Sequence, residues 1–113
     1  MKLPRPPKSF LIHNIQYKEH VGNDEWQKPV FAEPVTVDHV RVDNAPEYSV
    51  SADGLSLRYN ALVFCYTGIS EPLPDFKTQS RIIFDGNEHT IIKVVPVYEA
   101  YSDDIYCYEL EVI

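Results

Sequence analysis

The segment that most constrains this chain runs from residue 80 to residue 98. Ser80-Arg81-Ile82-Ile83-Phe84 leads into Asp85-Gly86, and the run from Asn87 to Tyr98 follows. Its β-branched and aromatic side chains suit a pleated, half-buried surface. The Asp-Gly pair between two apolar runs predicts a two-residue hairpin turn, because both central residues must adopt positive φ. A further strand is expected over 105–113, where Tyr106, Tyr108, Leu110 and Val112 share one face and Cys107, Glu109 and Glu111 the other. The chain therefore ends in an all-β meander, and no residue in it has the setting of a catalyst.

Upstream, residues 10–21 alternate imperfectly through Leu11, Ile12, Ile15 and Tyr17 and are read as a first strand. Residues 22–25 form a turn, and 26–34 are irregular, broken by Pro29 and Pro34. Residues 35–43 are rich in Val and Thr. Their apolar phase slips between Val37 and Val40, which predicts a bulge at Asp38-His39. Residues 44–57 are polar and turn-rich and are expected to form a long loop, a kind of segment that carries function or stays disordered. Residues 57–67 are the most apolar strand, expected to be central with both faces covered over 61–65. A second excursion spans 68–79. No stretch sustains a 3.6-residue period, so any helix is one or two turns long. About six strands joined by such turns point to a small closed β-barrel or sandwich, since closure removes exposed strand edges. The expected organisation is a Pro-rich arm over residues 1–9 and one β domain over 10–113. Pro4, Pro6 and Pro7 favour extended polyproline geometry in that arm.

Charge narrows the function. Acidic residues outnumber basic ones 17 to 10, a formal net charge of −7. A free-standing nucleic-acid binder carries the opposite sign, because its affinity comes from neutralising phosphate. No apolar run is long enough to span a membrane, and residues 1–12 lack the apolar core of a signal peptide. Chemistry finds little purchase. His13, His20, His39 and His89 are scattered without metal-ligand spacing. Cys65 lies in the most apolar strand and Cys107 among carboxylates, both settings that suppress a thiolate. Glu109 with Glu111, and Asp103 with Asp104, read as charges on a solvated strand edge rather than as a glycosidase pair. Gly22, Gly54, Gly68 and Gly86 are isolated, so no phosphate cradle exists. Tyr98, Tyr101, Tyr106 and Tyr108 would make a stacking platform for single strands only against the surrounding acidity. The expectation is a non-enzyme with no cofactor and no metal.

The residues 76–91 around Asp85-Gly86, the run Val94-Val95-Pro96-Val97-Tyr98, the ending Tyr108-Glu109-Leu110-Glu111-Val112-Ile113 and the upstream Ala61-Leu62-Val63-Phe64-Cys65-Tyr66 occur here in a characteristic order. Together they resemble the small minor capsid proteins encoded in the head-morphogenesis region of tailed phages and prophages of low-GC Gram-positive bacteria. Those proteins are similar to head-closure, or stopper, proteins of the head–tail connector. The resemblance implies a compact β-barrel, with copies forming a ring below the portal and adaptor. It also implies retention of packaged DNA without sequence-specific binding, a platform for tail proteins, and a place in the virion at the head–tail junction. A loop between barrel strands would close the channel. By that analogy Asn44, Glu47, Tyr48, Ser51, Asp53 and Gly54 are the candidate channel-loop residues, with 68–79 as the rival loop. Ring contacts are heterologous, so two different faces must meet. Pro4, Pro6 and Pro7 of the arm and Tyr106 and Tyr108 of the last strand are the candidate interface residues, and exchange of arms between neighbours is one way to use them. Two other readings stay open: a tail-completion or tail-terminator subunit, and a small acidic β domain that binds a host protein or carbohydrate.

Overall fold

In the computed structural model, residues 4–44 and 46–113 are described. Met1, Lys2 and Leu3 of the expected arm, and Ala45 of the expected loop, lie outside these residues. The described elements are one 3-10 turn, Lys8–Phe10, and ten strands: β1 (His13–Lys18), β2 (His20–Asn23), β3 (Pro29–Phe31), β4 (Val35–Asp43), β5 (Glu47–Ser51), β6 (Gly54–Tyr59), β7 (Ala61–Tyr66), β8 (Arg81–Phe84), β9 (Asn87–Tyr98) and β10 (Ile105–Val112). Six of them close a barrel in the order β1-β4-β7-β10-β9-β8, with β8 returning to β1. All its pairings are antiparallel.

Local chemistry explains the joints. Phe84 pairs with Asn87 across Asp85 and Gly86, whose φ values are 51° and 75°, so the predicted two-residue turn forms as read. On β4 the register runs from Ile15↔Val37 to His13↔Val40, and the extra residue is absorbed where His39 takes φ 59°. Val37 and Val40 thereby both face inward. The twelve-residue β9 serves two neighbours: its first four residues pair with β8, and Ile91 onward pairs with β10. Inside, Ile15, Val37, Val40, Val63, Ile82, Ile91, Leu110 and Val112 are fully buried. They are β-branched or leucine side chains supplied by every strand of the barrel, which is how so short a chain builds a continuous core.

The registers place the connections at two ends. At one end lie the β2–β3 hairpin, the crossover 67–80 and the β9–β10 turn. At the other lie the β5–β6 hairpin and the β8–β9 turn. The crossover is pinned by Phe76, whose ring meets Tyr17 edge-on at 5.1 Å and Tyr108 at 5.8 Å. Tyr17 accepts the Lys77 backbone N–H at 3.0 Å, and Ser80 Oγ accepts the His20 N–H at 2.9 Å. The β2–β3 hairpin folds back through Phe31, which lies 5.3 Å from Lys18 Nζ and 5.2 Å from Arg81 Cζ. The β5–β6 hairpin does not fold back. The radius of gyration, 15.2 Å, exceeds the roughly 13 Å of a compact chain this long, as a projecting element requires.

Four expectations need correction. Residues 44–57 are not an irregular loop, because β5 and β6 pair over most of that span. Residues 20–31 are a second hairpin rather than a turn followed by irregular chain. The most apolar strand begins at Ala61, because residues 54–59 belong to the hairpin and Asn60 interrupts the two. Finally, β10 is no solvated edge, since it lies between β7 and β9.

Candidate functional site

The expected channel segment is an amphipathic two-stranded ribbon. Its register sets Tyr48 opposite Leu57 and Val50 opposite Leu55, so these four side chains share one face. Ser49 opposes Ser56 on the other face, their hydroxyls 3.2 Å apart. Among the described residues the apolar face is left open: Val50 is 81% exposed and Leu55 72%. Ser51 Oγ braces the turn by accepting the Asp53 N–H at 3.3 Å, and Gly54 takes φ 108°, a region that favours glycine. Asn44 is exposed on the link from β4, and Asp53 is exposed at the tip.

At its base the hairpin is fastened to the barrel. Tyr59 is buried and donates from its hydroxyl to Glu47 Oε2 at 2.5 Å. That hydrogen bond, with burial and the Glu47 charge behind it, pushes the Tyr59 phenol up to about 12. Arg58 reaches both Glu47 at 3.7 Å and the buried Glu111 at 3.6 Å. Lys93 and Glu109 join them around a surface hollow of about 270 Å³.

The second feature is the outer face of β10 near its start. The arm lies across it. Arg5 donates to Thr67 O at 2.8 Å, to Thr67 Oγ1 at 2.7 Å and to Glu99 Oε1 at 2.5 Å, and its guanidinium sits 5.1 Å from the Tyr106 ring centroid. Tyr106 donates from its hydroxyl to Pro4 O at 2.8 Å. Glu99 is buried, with Arg5 as its ion-pair partner. A register irregularity between Ile105 and Cys107 turns Tyr106 out of the phase expected for it, so that it packs edge-on against Tyr66. Tyr108 points the other way, into the core against Phe76. Pro6 lines a hollow with Phe10 and Tyr66, and Pro7 is exposed ahead of the 3-10 turn. Of the five candidate interface residues, the structure thus gathers Pro4 and Tyr106 at one place, sets Pro6 nearby, and leaves Pro7 and Tyr108 apart from them.

Cys107 faces outward opposite Tyr66, yet it is buried. Burial pushes its thiol up to about 11, Glu109 adds to the shift, and Arg5 opposes it. Burial inside the barrel pushes Cys65 higher still. Among the described residues no three His, Cys, Asp or Glu side chains gather to hold a metal ion, and no helix is long and apolar enough to cross a membrane.

A protein family described as minor capsid protein matches residues 7–112. The chain belongs to that minor capsid protein family. A protein named ORF5 of Lactococcus phage LL-H, described as uncharacterized, is 25% identical over 118 residues that take in the whole of both chains. No solved structure matches. This minor capsid family member is therefore a structural, virion-associated phage protein built as a closed β-barrel. Two features of these surfaces are not evident from local sequence patterns. One is the apolar face of the ribbon, whose trace is only Tyr48-x-Val50 and Leu55-x-Leu57 at a spacing of two. The other is the Arg5–Glu99 pair, 94 residues apart, which no local pattern announces.

Proposed function

We propose that the protein is a head-closure subunit of the head–tail connector, present as a ring of copies between the portal or adaptor and the tail. The observation that carries this reading is the β5–β6 ribbon, which stands off a closed barrel with one face apolar and exposed. An exposed patch of that kind marks a protein contact. In a ring, the Tyr48, Val50, Leu55 and Leu57 face packs against neighbouring copies, while the serine face and Asp53 turn toward the lumen. The lumen then meets DNA with carboxylates, which repel phosphate, and with uncharged hydroxyls, which offer no ion pair to hold it, and the excess of acidic residues keeps the packaged DNA free to move. Residues 68–79, the rival loop, are tied to the barrel by Phe76 and Tyr17 and have less reach.

Quantitative mass spectrometry of particles purified with the gene intact and with it deleted tests the reading. A small fixed copy number in intact particles, with tailless heads that lose their DNA on deletion, supports it. Particles that lack the protein and remain infectious without the gene refute it. Stable DNA-filled heads beside tails of irregular length would mean a tail terminator instead.

A further inference from the structure

The arm is held by a socket on the wall of the barrel. The socket consists of the Glu99 carboxylate, the Thr67 carbonyl and hydroxyl, and the Tyr106 ring and hydroxyl, and it grips one guanidinium and the carbonyl before it. A planar guanidinium received by a carboxylate, a carbonyl, a hydroxyl and an aromatic face is a geometry lysine does not reproduce. Thr67 Oγ1 is itself fixed, being 2.9 Å from Ile105 O and 3.0 Å from Tyr106 O, so the socket is rigid before the arm arrives.

The link between arm and barrel is the opposite. The 3-10 turn Lys8–Phe10 contains no buried residue. Among the described residues the first buried one is Leu11. Beside the turn, Pro6, Phe10, Leu11, Arg41 and Tyr66 leave a hollow of about 360 Å³. Phe10 and Ile12, on either side of Leu11, are largely exposed. A tight anchor on a loosely packed link is the construction that allows an identical segment to be exchanged between copies at little cost, because every contact is re-formed.

We propose that this socket is an intersubunit receptor for an arginine-bearing arm, closed by the chain's own arm when the protein is alone and by the arm of a second copy once subunits adjoin. The inference rests on the reading that copies assemble side by side. Its occupant is the segment already seated there, the arm that carries Pro4 and Arg5. Cys107 reports the state of the socket, since it lies on the outer face within reach of the Arg5 charge while Cys65 stays inside the barrel.

The test complements two full-length variants that are each defective in one half of the contact. Arg5→Ala keeps the socket and loses the anchor; Glu99→Gln keeps the anchor and loses the charge that receives it, with Glu99→Ala used if the amide still holds the arm. Circular dichroism first checks that each is folded. Cys107 in Arg5→Ala should react with an aromatic disulfide about tenfold faster or more than in the native chain, the scale set by losing hydrogen bonds to a charged group. A synthetic peptide of residues 1–9 should restore protection, and the same peptide carrying Arg5→Ala should not. Mixing the two variants should yield a heterodimer by analytical ultracentrifugation, with Cys107 of the Arg5→Ala chain protected again. Unchanged Cys107 reactivity in Arg5→Ala, or a mixture that stays monomeric and unprotected, overturns the proposal. These readouts need no particle, so a failed connector reading and a failed arm exchange are told apart.

Discussion

Replacing Phe76 by alanine should unfasten the crossover from the barrel it closes. Phe76 is buried, touches Tyr17 and Tyr108 edge-on, and belongs to the continuous core. Truncating a buried phenylalanine removes its transfer energy and leaves a cavity, together about 3–5 kcal/mol. A chain of 113 residues has a total stability of roughly 6–17 kcal/mol, so this single change takes a large share. With a urea m-value of about 1–3 kcal/mol per molar, the unfolding midpoint should fall by about 2 M. The assay is equilibrium urea unfolding followed by circular dichroism. Tyr17→Phe serves as the companion variant: it keeps the ring contact but removes the hydroxyl that accepts from Lys77 N–H, at a cost of about 1–3 kcal/mol. A midpoint shift below about 0.5 M for Phe76→Ala corresponds to no more than about 0.5–1.5 kcal/mol, well short of the loss expected for a buried ring. It would refute the idea that this ring closes the barrel end.

Three further outcomes follow from the same geometry. Val50→Asp combined with Leu55→Asp should leave stability within about 0.5 kcal/mol of the native chain, since neither side chain touches the core, while particles complemented with the double variant should fail to retain DNA. The Tyr59 phenol has its folded value raised from 10.0 to about 12, so its contribution to stability is fully present below pH 10 and is lost as pH rises toward 12; tyrosinate absorbance should show one late-titrating ring, and Glu47→Gln should bring it back toward the ordinary value. Gly86→Ala meets open space but must hold φ 75°, so it should cost about 1 kcal/mol through backbone strain alone, measurable as a lower urea midpoint.

What the sequence made legible was local. Asp85-Gly86 between apolar runs and the slipped phase at Val37 and Val40 each carry their own geometry, and both appear as read. Residues 44–57 read as a loop because their Ser, Asp and Gly are turn residues, although Tyr48 and Val50, and Leu55 and Leu57, alternate at strand spacing. Cys107 and Glu111 looked solvent-facing by parity, and parity was right about the face. What covers that face is remote: Arg5 and the arm over one end, Arg58 from the hairpin base over the other. Burial imposed by chain far away in sequence leaves no period to read.

Closure of the barrel bears on how many copies can live together. A ring packs its subunits at a local concentration at which an open sheet would recruit its neighbours strand by strand. Each strand of this barrel has both neighbours inside its own chain. Among the described residues, the two hairpins are the strand pairs that lie outside the closed barrel. In the proposed ring, crowded copies would therefore meet through the β5–β6 ribbon and the arm, which makes these two elements the grammar of the assembly and leaves the barrel mute.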